Sequence, residues 1–165
     1  MARGARSFAL SVRAPAGQTL RTRRLGTFGG DVFDAVLPGG ETADPPSGGL
    51  TVAVRVGGTA PLEADFGDGW RRHAAPVGSV DVQPAHVACS YRIGATRLLG
   101  VHLDAGRVAT LFDGEGLATD VLDRWANRFR SAPRVAALIG GLRALSNAAE
   151  PEDAATALHA DALTV

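Results

Sequence analysis

Two periodicities divide the chain near residue 104. Before it, apolar residues alternate with polar ones in short runs punctuated by glycine and proline; after it, they recur every three or four positions. The first pattern predicts strands at Ser7–Arg13 (Phe8, Leu10 and Val12 on one face), Leu50–Val56, Pro61–Phe66 and Arg97–Leu103, and a strand pair or a strand with irregular edges at Phe28–Leu37. Gly39–Gly49, with Pro45 and Pro46, reads as a turn-rich loop, and Gly67-Asp68-Gly69 as a hairpin-type turn leading into Trp70. Gly78–Arg92 reads as strand, tight turn, strand: Val80 and Val82, a break at Pro84, then Val87, Cys89 and Tyr91 on one face. The second pattern predicts helices at 105–112 (capped by Asp104), 117–129, 132–145 and 153–163. The expected fold is mainly β with C-terminal helices: an antiparallel β-barrel over residues 1–103, then three to four helices over 104–165.

Composition narrows the setting. A chain of 165 residues suits one domain with a helical appendage and can bury a core without a staple. Its single cysteine excludes an internal disulfide and fits a reducing compartment. The N-terminus lacks the apolar run of a signal peptide, and no segment has the length of a membrane span, so the expected location is the cytoplasm with no membrane partner. Net charge is zero, which argues against a surface dedicated to nucleic acid. Six arginines precede the first acid, Asp31; they read as a solvated edge strand and loop in preference to an arm for an anionic partner.

The spacing Gly78-x5-Pro84-x-His86-x2-Cys89 resembles the second motif box of cupin β-barrels, in which a metal-binding histidine follows the turn proline. Cys89 stands where that histidine would be, and His86 stands at the turn glycine. Aligning the first box from Gly39 to Gly58 puts Pro45, Ser47 and Thr51 at its ligand positions, and none of these replaces imidazole or carboxylate. The expectation is therefore a barrel with no metal and no cofactor; a site made by His86, Cys89 and His102 is the disfavoured alternative.

Trp70, His86, Cys89, Tyr91 and His102 are the candidate ligand-binding residues. Each has a blander reading: a free cysteine is commonly a small core residue, and aromatic rings commonly just pack. His102 orients a ligand if the face of Leu98 and Gly100 turns inward, and is a surface histidine if it turns outward. On the third predicted helix, Val135, Leu138, Ile139, Leu142 and Leu145 make a narrow apolar stripe flanked by Ala136, Ala137, Gly140 and Gly141. It reads as an intrachain contact or, in preference, a homodimer seam.

From Val36 to Leu163 the segments together resemble the N-terminal sensor domain of AraC-type transcription regulators. The resemblance rests on Leu37-Pro38-Gly39, Leu50–Gly58, Phe66-Gly67-Asp68-Gly69-Trp70-Arg71-Arg72, Gly78-Ser79-Val80 with Pro84-Ala85, Leu99–Asp104, Pro133–Leu138 and Leu158–Leu163. It implies a cupin-like barrel that binds a small-molecule effector and helices that dimerise. Such regulators continue into a domain with two helix-turn-helix units. Here the tail beyond Arg143 carries acids and one histidine, so no direct DNA binding by this chain is expected. Two other classes compete. One is a stand-alone metal-free cupin-fold isomerase or cyclase with His86 or His102 as acid/base and Tyr91 as donor. The other is a protein that forms mixed dimers with a full-length regulator.

Overall fold

The computed structural model describes residues 19–25, 30–46, 48–58, 62–83, 87–104, 106, 108 and 129–148. Ten strands and one helix are present among them. A six-stranded antiparallel sheet contains β1 (Thr19–Leu25), β2 (Gly30–Leu37), β9 (Thr96–Asp104), β4 (Gly49–Gly58), β7 (Ser79–Gln83) and β10 (Arg130–Ser131), in that order. A four-stranded sheet contains β3 (Gly40–Asp44), β8 (Cys89–Ile93), β5 (Leu62–Asp65) and β6 (Arg71–His73). The helix, α1, is Pro133–Ala148. It starts where proline is best tolerated, with the Ala132 carbonyl accepting from the Ala136 amide at 3.0 Å.

Side-chain bonds show that the two sheets face each other. The Tyr91 hydroxyl of β8 donates to Asp81 of β7, Gln83 Nε2 reaches the Val87 carbonyl, and Arg55 Nη1 of β4 reaches the Ala75 carbonyl. Strand register then sorts the six-stranded sheet into two faces. His102 pairs with Thr51 and Thr51 with Gln83; Phe33 pairs with Gly100, Gly100 with Ala53, and Ala53 with Asp81. These rows look inward, toward the second sheet. The valine-rich alternate positions look outward and are covered by α1: Val32, Leu50, Val54, Val80, Val82, Leu99 and Val101 form one core with Ile139 and Leu142. A second core lies under the four-stranded sheet, where Leu62, Ala64, Ala75, Cys89 and Tyr91 pack with Phe66, Val87, Ile93 and Phe129.

Several expectations need correction. Gly39–Gly49 is not all loop, because β3 runs through it and pairs with β8. The segment Gly78–Arg92 supplies two strands but no hairpin: β7 and β8 belong to different sheets, so the connection crosses between them. β6 and β10, both very short, were not expected. The expected count of three to four C-terminal helices is not confirmed: α1 is the one helix described along its length. The helices at 117–129 and 153–163 and the strand at Ser7–Arg13 lie outside the described residues, apart from Phe129, which is not helical; of 105–112, only Gly106 and Val108 are described, both helical. No helix among the described residues is long and apolar enough to cross a membrane.

The stripe on α1 is divided. Ile139 and Leu142 are 2% and 3% exposed inside the chain's own core, Val135 packs beside them, and Leu138 is 45% exposed. The preferred dimer reading of Ile139 and Leu142 thus gives way to the intrachain one in this structure, because the sheet's valine face needs a cover. Leu145 has a described backbone only. An ionic clasp fixes the same helix: Asp34 of β2 accepts two bonds from Arg97, at 2.9 and 2.7 Å, and pairs with Arg143 of α1 at 2.9 Å. The Arg97 bonds, with Arg143 in support, hold the Asp34 carboxyl below its usual range.

Candidate functional site

The inward rows build a polar interior between the sheets. Asp81 lies at the middle of β7, flanked on its strand by two outward-facing valines. Opposite it, on β8, Cys89 and Tyr91 also point inward, and Asp44 pairs with Cys89 at the end of β3. The Tyr91 hydroxyl stands 3.4 Å from Asp81 Oδ2, a long contact for an O–H donor. Asp81 Oδ1 is buried and has no hydrogen-bond partner among the described residues.

Electrostatics follow from that crowding. Burial pushes the Asp81 carboxyl up to about 6, and the neighbouring charge of Asp44 adds to the effect; the Tyr91 hydroxyl and the Val82 amide pull the other way in part. Burial alone takes Asp44 to about 6 as well. The Cys89 thiol is driven up to about 12 by burial, with Asp81 and Asp44 reinforcing the shift against the Tyr91 hydroxyl. Tyr91 is raised well above its ordinary value for the same first reason, burial. A thiol so placed is a poor nucleophile, since the thiolate is the reactive form.

His102 sits on the same inner face. Its Nδ1 is 3.0 Å from Thr51 Oγ1, and burial holds its pKa below the ordinary value against the pull of Asp31 and Asp104. Two strands and one pleat repeat separate it from Asp81, about 12 Å between backbones. The interior is not sealed by apolar filling. Thr51 and Ala53, on a strand paired on both sides, remain partly accessible. The row across the sheet from Asp81 runs through Ala53, Gly100 and Phe33, and the Phe33 ring lies directly over Gly100, where a methyl group would collide with it.

Of the five predicted ligand residues, the structure brings Cys89 and Tyr91 together and places His102 on the same inner wall. Trp70 is on the other side of the four-stranded sheet, its ring 4.0 Å from the Arg92 guanidinium, which also pairs with Glu41 and Glu63. His86 lies outside the described residues. Thr51, at a first-box ligand position, is occupied with His102; Pro45 is exposed and Ser47 lies outside the described residues. Among the described residues, no group of three or more His, Cys, Asp or Glu side chains is arranged to hold a metal ion. Asp81 and Asp44 were missed by sequence reasoning. The available signal was an acid between two valines on a strand that could be covered on both faces.

The solved structures that this two-sheet antiparallel β-fold is similar to include cupin domains and an AraC-like regulator, all under 25% identical, so each likeness is one of fold. The AraC-like transcriptional activator CuxR is 13% identical, over 93% of this chain and 59% of that one, with a TM-score of 0.65. The Cnp3 cupin domain of Schizosaccharomyces pombe is 14% identical over 61% of this chain and 72% of that one, at 0.46. A cupin domain from Bordetella pertussis is 17% identical over 54% and 95%, at 0.44. The CuxR likeness is one of fold, and the chain spans 59% of that activator's length. No protein-family model and no curated protein matches the sequence.

Proposed function

We propose that this chain is a small-molecule sensing module of the kind that precedes the DNA-binding domain of AraC-type regulators, working in the cytoplasm, and that α1 reports the state of the interior. The observation that carries this reading is the double use of the central sheet. Its inner face presents polar groups (Asp81 with Tyr91, His102 with Thr51) beside partly accessible Ala53, and its outer face is the seat of α1. A ligand that presses on β4, β7 or β9 from inside displaces the surface on which Ile139 and Leu142 rest. Interiors close-packed on both sides transmit such shifts instead of absorbing them. The ligand must favour one helix arrangement over another for this to become a signal. Fold likeness to an AraC-like activator supports the assignment. A homodimer through the exposed edge of α1, around Leu138, completes the proposal.

The test is a mass spectrum of compounds extracted from the purified protein, paired with thermal shifts over a metabolite panel. A compound that stabilises the protein and is recovered unchanged supports sensing. A compound recovered converted overturns it in favour of an enzyme that uses His86 or His102. Failure of every compound to bind also overturns it and leaves mixed-dimer formation with a regulator.

A further inference from the structure

The Asp81 carboxyl is buried on the inner face of the central sheet. Among the described residues, no cation pairs with it or with Asp44. The groups that face it are the Tyr91 hydroxyl and Cys89 thiol of β8 and the Asp44 carboxyl of β3; Arg55 and His102 share its sheet face on other rows. Arg55 Nη1 is engaged by the Ala75 carbonyl at 2.7 Å, and His102 by Thr51. A buried carboxylate oxygen left without a donor is costly, and buried charges are ordinarily paired. Oδ2 has the long Tyr91 contact, the Val82 amide lies beside the carboxyl, and Oδ1 has no hydrogen-bond partner among the described residues. On the wall beside them Ala53 is small and partly accessible, the Phe33 ring covers Gly100, and Tyr91 stands on the facing sheet: apolar faces for a ligand's body.

We infer that the ligand of this interior carries a protonated amine, held as an ion pair by Asp81 and supported by Asp44, with its apolar body against Phe33 and Tyr91. This rests on the sensing reading above and narrows it to a class of ligand. An amine supplies both missing parts, a positive charge between two acids and a donor for Oδ1. A neutral alcohol supplies only the donor, and a carboxylate brings a third like charge.

The experiment uses three probes of similar shape: phenethylamine, 2-phenylethanol and 3-phenylpropanoate. Each is titrated calorimetrically at neutral pH into the full chain, Asp81→Asn and Asp44→Asn, with each variant's fold checked by circular dichroism. The expected result is that the amine binds about tenfold or more tightly than the alcohol, that the carboxylate does not bind, and that Asp81→Asn reduces the amine to the level of the alcohol. Asp44→Asn gives a smaller loss, and it carries the test should Asp81→Asn fail to fold. Equal binding of amine and alcohol, or an amine affinity unchanged in a folded variant, overturns the inference. The sensing reading fails separately. A neutral metabolite recovered unchanged from the protein leaves sensing standing while removing the amine, whereas an amine that binds at Asp81 and is converted keeps the amine while removing sensing.

Discussion

Asp81 shows how a single residue links burial to pH. Its folded pKa of about 6 lies above the ordinary 3.8, so the folded state holds the proton more tightly than the unfolded chain does. The stability that proton contributes is fully present below pH 4 and is lost as pH rises through 6; a shift of about two units corresponds to about 3 kcal/mol. Asp34 works in the opposite sense: its lowered pKa contributes stability that disappears as pH falls. The difference between wild type and Asp81→Asn isolates the first effect. Urea unfolding at pH 4 and pH 7 is expected to favour the variant by about 3 kcal/mol more at pH 7, and a pH-independent difference would refute the burial of an unpaired acid. Cys89, 2% exposed and with its thiol pushed up to about 12, is expected to resist thiol reagents at pH 8 in the folded protein and to react at once in urea. Gly100 is fixed by two neighbours, the Phe33 ring and the Val52 carbonyl: Gly100→Ala is expected to cost about 1–3 kcal/mol, with only the ring's share restored by Phe33→Leu in a double-mutant cycle. At this scale the inward set was half legible. Alternation put Cys89 and Tyr91 on one face, and His102 was readable once a face could be chosen. Asp81 was not legible, because an acid between Val80 and Val82 reads as solvent-facing on a sheet buried on one side.

Elements with strong alternation were legible: β4, β7 and β9 fall where the valines and leucines predict them. β3 was hidden because Gly-Glu-Thr-Ala-Asp lacks an apolar row; it is an edge strand held by pairing with β8, not by burial of large side chains. β6 spans three residues and β10 two, too short for any period to register. α1 was legible as a helix, but its partner was not. A stripe such as Val135, Ile139 and Leu142 fits a sheet as well as a second copy, and the valine face of the sheet claims it. Ile139→Ala and Leu142→Ala are accordingly expected to cost about 2–5 kcal/mol each, whatever the protein concentration. The two glycines of α1 give a sharper test of the dimer. A Cβ added to Gly140 or Gly141 meets nothing within 4 Å among the described residues. Gly140→Ala and Gly141→Ala should therefore stabilise the helix by about 1 kcal/mol each. A variant that gains no stability, while weakening self-association in sedimentation, would place a second copy against that flank.

Across the whole molecule, the C-terminal segment is not an appendage to a finished barrel. β10 extends the six-stranded sheet, Phe129 packs against the His73 ring, and α1 completes the outer core, so residues on both sides of position 104 share one packing unit. That arrangement gives the interior its proposed output: the wall that a ligand touches is the same sheet that seats the helix. Sequence alone conveyed a β-rich unit followed by helix. It did not convey that both faces of one sheet are in use, because that follows from long-range pairing. The most direct measurement is amide hydrogen exchange, read fragment by fragment, with and without a compound that raises the melting temperature. Slowed exchange in β7 and β8 together with a changed rate in 133–148 is the predicted result; protection confined to the outer face near Trp70, or an unaltered helix under saturating compound, would contradict it.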